Sequence, residues 1–128
     1  MIKFKNNNDK PFFCCLHPVL IMIFSDLYWY AKVNHNVELV VTQTISTPEI
    51  DKRLNRVSKS HLEKRAIDIR TKDLDKKVID DLLYYINNKC AYKDYGYMSK
   101  SGVKRLAYYH IGTEEHLHLA IHKKFALK

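Results

Sequence analysis

The sequence is short of glycine, proline and cysteine, with three of each among 128 residues, and it has one tryptophan. No Pro/Gly/Ser-rich linker divides it and no internal repeat is visible, so residues 1–128 read as one domain, with a polar and flexible segment over 1–10. Cys14, Cys15 and Cys90 form neither a disulfide framework nor a CxxC zinc knuckle. Three such thiols fit a reducing compartment, where they behave as small hydrophobes. Acidic residues are also outnumbered, 14 against 22 Lys and Arg, for a formal net charge of +8. That balance favours an acidic partner (nucleic acid, anionic lipid or anionic cell wall) without choosing among them. A long apolar run is missing too. The stretch Pro11 to Phe24 is interrupted by His17 and Pro18, is too short to span a bilayer, and precedes no small-x-small cleavage pattern. It reads as a core helix rather than a signal peptide, so the expected location is cytoplasmic until release to a cell wall.

What is present suits a globular protein: 46% hydrophobic and 28% charged residues. A chain of this size buries about two-thirds of its unfolded surface and needs no staples. His17-Pro18 opens a helix, with Pro well placed in the first turn. Val19, Leu20, Ile23, Phe24, Leu27 and Tyr30 then recur at helical spacing, and the helix should end near residues 34–36. Val37 to Ile45 alternates and is β-branched, as in a strand. Thr47 can cap a short helix that starts at Pro48. Residues 53–64 are polar and basic and read as a loop, followed by a short strand around Asp68. Thr71 or Asp73 can cap a helix over about 74–89, whose apolar stripe is Val78, Ile79, Leu82, Leu83 and Ile86. Residues 91–104 read as an exposed loop. Leu106 to Ile111 and His116 to His122 read as two strands around a turn at Gly112-Thr113. Helices early and strands late predict an α+β fold with a small, mainly antiparallel sheet and helices packed on it.

Two segments concentrate the polar chemistry: Ser60-His61-Leu62-Glu63-Lys64-Arg65-Ala66-Ile67-Asp68 and Glu114 to His122. On a strand, His116 and His118 share one face, while Leu117, Leu119 and Ile121 share the other. Such a strand can bury its apolar face and present imidazoles to a cleft. Zinc takes neutral imidazole and carboxylate, and a catalytic site keeps a fourth position for water. His61, Asp68 and His118 would supply that set. A neighbouring base must then accept the water's proton, and His116 and Glu115 are the candidates.

These residues bring a resemblance into view. Ser-x-His-x-x-Gly-x-Ala-x-Asp, followed downstream by His-x-His or by an acidic residue three before a His, is the signature of the zinc D-alanyl-D-alanine peptidase and Hedgehog-type fold. His61, Ala66 and Asp68 fall at matching positions, with Ser58 or Ser60 near the start. His116-Leu117-His118 resembles the second half. Leu16-His17-Pro18, Val40-Val41-Thr42 and Ser46-Thr47-Pro48-Glu49 resemble the family's opening helix, first strand and Thr-Pro turn. The likeness spans about residues 16–122 and is nearest to small phage-encoded members. It implies a Hedgehog/DD-peptidase-like fold with zinc held by His61, Asp68 and His118. It also implies His116 beside the metal, Glu115 as an alternative base, and peptidoglycan stem peptide as substrate. Lys64 stands at the family's Gly position and Ser46 where many members carry a substrate-binding Arg. Arg70 is the expected replacement, with Ser60 a second substrate contact and Arg65 an alternative.

The expected protein is therefore a monomeric zinc peptidase of the endolysin or carboxypeptidase type. It needs no specific nucleic acid and no membrane span. Two other classes stay open at this stage. One is a zinc-binding but inactive member serving in recognition or assembly. The other is a basic nucleic-acid-binding domain, suggested by the charge and by the Tyr- and Lys-rich stretch around Tyr92 to Lys104.

Overall fold

The computed structural model describes residues 2–55, 59–61, 63–111 and 114–126. Ser58 and the Gly112-Thr113 turn lie outside the described residues. Lys3–Phe4 forms a first short strand, β1. A 3-10 turn and the short helix α1, Lys10–Phe13, lead into the long helix α2, Pro18–His35. Strand β2 is Val40–Gln43, helix α3 Pro48–Arg53, strand β3 Ala66–Arg70 and helix α4 Lys76–Tyr84. A small hairpin joins β4, Tyr97–Met98, to β5, Lys104–Arg105. Strands β6, Ala107–His110, and β7, His116–Ala120, complete the sheet.

The α2 helix forms where the apolar recurrence places it. The ring of His17 accepts a hydrogen bond from the Val19 amide at 3.1 Å, and Pro18 occupies the first turn. At the other end Asn36 turns left-handed at φ 52°, a conformation Asn tolerates. Thr47 caps α3 as expected, its hydroxyl accepting from the Ile50 amide at 3.2 Å. The fourth helix starts later than its periodicity suggests. Asp75 is the capping position, not Thr71 or Asp73, and Asp73 is instead ion-paired with Arg70 at 3.2 Å. Its last part, Tyr85–Lys89, widens into a π turn. There Asn87 bonds three backbone groups of Leu106 and Ala107, fixing the approach to β6.

The architecture is mixed α and β, with a five-stranded mixed sheet and four α-helices among the described residues. Sheet order is β1-β2-β3-β7-β6, antiparallel throughout except for the parallel β1–β2 pair. Two elements differ from the sequence reading. Residues 91–104 carry the β4–β5 hairpin rather than a plain loop. At Gly96 a Cβ would collide with the Arg105 carbonyl, so the close approach of those two backbones requires glycine. The polar N-terminal segment carries β1, whose backbone pairs with Val40 and Val41. Strand β2 is also shorter than Val37–Ile45. The Val37 amide closes the end of α2 on the Ala31 carbonyl, and the Thr44 amide turns away to the Asp9 carboxylate.

The sheet has two unlike faces, because side chains alternate along each strand. Ile67 and Ile69 of β3 pair with Leu119 and Leu117 of β7 and are fully buried. They join Leu20, Ile23, Phe24 and Leu27 of α2 and Ile79 and Leu82 of α4 in one core. Each large apolar side chain so buried contributes about 1.5–3 kcal/mol. The opposite face carries the polar residues, in rows that run across the strands. One row is Gln43, Asp68, His118 and Tyr108; the next is Arg70, His116 and His110. Packing the leucines against the helices thus dictates where the histidines point.

Candidate metal centre

Three of the expected site residues meet on that polar face. Asp68 sits at the middle of β3, directly opposite His118 on β7. His61 comes from the turn that precedes β3, which is held to the chain before α3 by the Ser46 amide bonding the His61 carbonyl at 3.4 Å. All three side chains are buried, and one potential ligand atom of each lies within 4.8 Å of the others. His61 Nε2 is 3.0 Å and His118 Nδ1 2.8 Å from the same oxygen, Asp68 Oδ1.

The hydrogen bonds fix which nitrogens carry protons. His61 Nδ1 lies 2.7 Å from the Thr44 carbonyl oxygen, which can only accept, so Nδ1 donates. Nε2 of a neutral His61 is then a lone pair, buried and without a hydrogen-bond partner. It faces a carboxylate oxygen 3.0 Å away. Two acceptors at that distance repel unless a proton or a metal ion lies between them. A carbonyl holding the far nitrogen of a ligating histidine is a recurring feature of metal sites. The donor set, two imidazoles and one carboxylate, is the borderline set that zinc favours. The residues present therefore fit a divalent metal.

Charge states agree. Burial alone would push the Asp68 carboxyl up, but His118 and His61 against it hold it well below the usual carboxylate range. Burial pushes the His118 imidazole down, outweighing the opposite pull of Asp68. An ionised carboxylate and a neutral imidazole are the forms that bind metal.

The remaining expected residues surround this centre. His116 is half-buried, with Nδ1 donating to the Glu114 carbonyl at 2.8 Å and Nε2 at 3.6 Å from Asp68 Oδ1. Glu115 is exposed and accepts a hydrogen bond from the Tyr109 hydroxyl at 2.8 Å. Arg70 stands across from His116 and is engaged with Asp73. Ser60 is buried, its hydroxyl 3.4 Å from His118 Nε2. Asp68, Arg70, His116, Glu115 and Lys72 line a cleft of roughly 490 Å³. Arg65 lies outside that cleft, bonded to Glu63 and to the Ile121 carbonyl, and lines a second, smaller cleft with Ser60 and His118.

Sequence reading missed the parts that hold the centre from behind. Thr44 contributes a backbone carbonyl, which no side-chain motif announces. Asp9 in turn accepts from the Thr44 amide at 3.1 Å and its hydroxyl at 2.8 Å. His110, stacked on His116 with ring centres 4.8 Å apart, was legible from strand parity, since it pairs with His116. No family model, curated protein or solved structure matches the chain.

Proposed function

We propose that this chain is a zinc-dependent amide hydrolase acting on the stem peptides of bacterial peptidoglycan, with the Hedgehog/DD-peptidase-like fold its motif suggests. One observation carries the metal: the buried, unpartnered Nε2 of His61 facing Asp68 Oδ1 beside His118 Nδ1. The choice of amide bonds in cell-wall peptide rests on the motif resemblance and on the cleft of roughly 490 Å³ beside the centre.

His61, Asp68 and His118 would hold the ion. Bound zinc supplies a Lewis acid and a water that ionises near neutral pH. His116 offers the base: its Nδ1 proton is committed to the Glu114 carbonyl, so Nε2 is free to take a proton inside the cleft and return it to a leaving amine. Glu115 is the alternative base and would have to leave the Tyr109 hydroxyl. Arg70 and Lys72 line the same cleft and can meet anionic groups of the peptide.

A second reading has an observation of its own. His116 Nε2 lies only 3.6 Å from Asp68 Oδ1, so His116 could serve as a fourth ligand. A closed four-ligand site is the structural kind and would make the protein a zinc-binding, inactive member. Metal analysis and wall hydrolysis on wild type and single variants separate the two. His61→Ala, Asp68→Ala and His118→Ala should lose zinc and activity together. His116→Ala should keep zinc and lose at least about a hundredfold in rate, in line with removal of a general base. Zinc loss in His116→Ala would support the closed site. A wild type that takes up no zinc would end both readings.

A further inference from the structure

Strand β6 lies at the edge of the sheet and sets two rings against the two imidazoles of β7. Its register pairs Tyr108 with His118 and His110 with His116. Directly opposed residues of an antiparallel pair hold their Cβ atoms about 4.5–5.5 Å apart, so rings at these positions are brought into contact. Tyr108 lies 5.1 Å from the His118 ring, with 40° between the planes. His110 lies 4.8 Å from the His116 ring, with 26° between the planes, a stacked pair.

The two imidazoles are unequally secured by everything else around them. His118 is buried, with Nδ1 2.8 Å from Asp68 Oδ1 and Nε2 3.4 Å from the Ser60 hydroxyl. His116 is half-buried, and among the described residues its ring makes one hydrogen bond, from Nδ1 to the Glu114 carbonyl at 2.8 Å. Its Nε2 is 3.6 Å from Asp68 Oδ1, beyond hydrogen-bond range. One hydrogen bond fixes an edge of the ring and leaves the plane free to tip about that bond. Arg70, the neighbour across β3, is engaged with Asp73, and the His118 ring meets His116 edge-on with centres 6.4 Å apart. The flat surface that stops the tipping is His110.

We propose that His110 is a positioning residue, whose ring holds the plane of His116 so that Nε2 stays aimed at the metal centre. What Nε2 does there rests on the peptidase reading; the holding rests on the stack alone. The requirement is a flat ring at position 110 rather than an imidazole, because His110 offers His116 a face and no hydrogen bond. His110 is itself exposed, so its replacement leaves the core intact.

The test compares His110→Ala and His110→Phe with the wild type, all zinc-loaded, by NMR of the ring nitrogens and by hydrolysis of a peptidoglycan stem peptide. A pH of about 8 keeps an ordinary imidazole neutral. In the wild type, His116 should show one tautomer, with its proton on Nδ1. An aromatic pair favours its stacked arrangement by a factor of about 2–10. In His110→Ala the His116 signals should therefore move to a mixture of tautomers, and kcat should fall about threefold to tenfold with KM within about twofold. Zinc content should not change. His110→Phe should restore the single tautomer and bring kcat back to within about twofold of wild type. A single tautomer in His110→Ala, or a defect there that His110→Phe does not repair, would overturn the positioning role. If the wild type hydrolyses nothing, the peptidase reading fails and the ring signals alone decide what His110 does.

Discussion

Lys64 adopts φ 61°, in the left-handed region where a side chain is crowded. The conformation is enforced from both sides. The Lys64 amide bonds the His61 carbonyl at 3.1 Å, and its carbonyl accepts from the His17 amide at 3.0 Å. Glycine, with no Cβ to crowd, is the residue that adopts this conformation freely. Lys64→Gly should relieve about 1–2 kcal/mol of crowding and lose about 0.5–1 kcal/mol to the freer unfolded chain. The net gain of about 0.5–1 kcal/mol would show as a higher urea midpoint; a lower one would mean the lysine side chain stabilises the turn. Asp9 is the opposite case, a position behind the candidate centre with no sequence signal. It holds Thr44, whose carbonyl holds His61, so it acts through another residue. Asp9→Ala should weaken zinc binding about threefold to tenfold in a chelator competition, at the low end for a partner behind a ligand. Unchanged affinity would show that the Thr44 carbonyl is held well enough without it. The meeting of the three candidate ligands was legible because side chains announce themselves by spacing; their supports were not, because backbone carbonyls do not.

At the scale of elements, legibility follows length and periodicity. The eighteen residues of α2 repeat their apolar stripe often enough to be read, and β3 and β7 alternate cleanly. Strand β1 and the β4–β5 hairpin have two residues each, too few for any period. They exist because a neighbouring backbone is in reach. For β1 that reach is secured by Glu38, which meets Lys3 at 2.8 Å and Lys32 at 3.2 Å, tying β1 and the end of α2 to the start of β2. Hydrogen bonds from Lys3 and Lys32, then their charges, bring the Glu38 carboxyl down to about 2. The sign follows from linkage. A carboxyl lowered in the folded state stabilises the fold above its unfolded value of about 4.3, and that contribution is lost as pH falls toward 2. The stability gap between wild type and Glu38→Gln should therefore be largest above pH 5 and close by pH 2. Because these groups are exposed, 1 M salt should shrink it as well. A gap that is independent of pH would mean that Glu38 acts by packing rather than by charge.

The molecule as a whole folds its polar chemistry onto one sheet face by burying the other, and this explains why so few residues can carry a site. The excess of positive charge spreads beyond that face, and no helix among the described residues is long and apolar enough to cross a membrane. Cys14 and Cys15 are exposed and Cys90 is buried, with all three thiols free, so no disulfide among them staples the chain. The candidate metal centre is one of the places where distant segments are held by polar groups. His61, Asp68 and His118 join the turn before β3, the middle of β3 and the middle of β7, with Asp68 and His118 fifty positions apart in the sequence. Without a metal ion, His61 Nε2 and Asp68 Oδ1 sit 3.0 Å apart with at most a proton between them. With a metal ion, the same contact links three segments. Binding to the folded state alone stabilises by about 2.7 kcal/mol at a hundredfold excess over Kd. For a domain between the two size classes for which Tm shifts are tabulated, that corresponds to a rise of about 10 °C. Calorimetry at pH 7 should show this rise with zinc, its reversal by a chelator, and its absence in His61→Ala and His118→Ala. No rise in the wild type, or an equal one in the ligand variants, would mean that the three side chains meet for packing and not for metal.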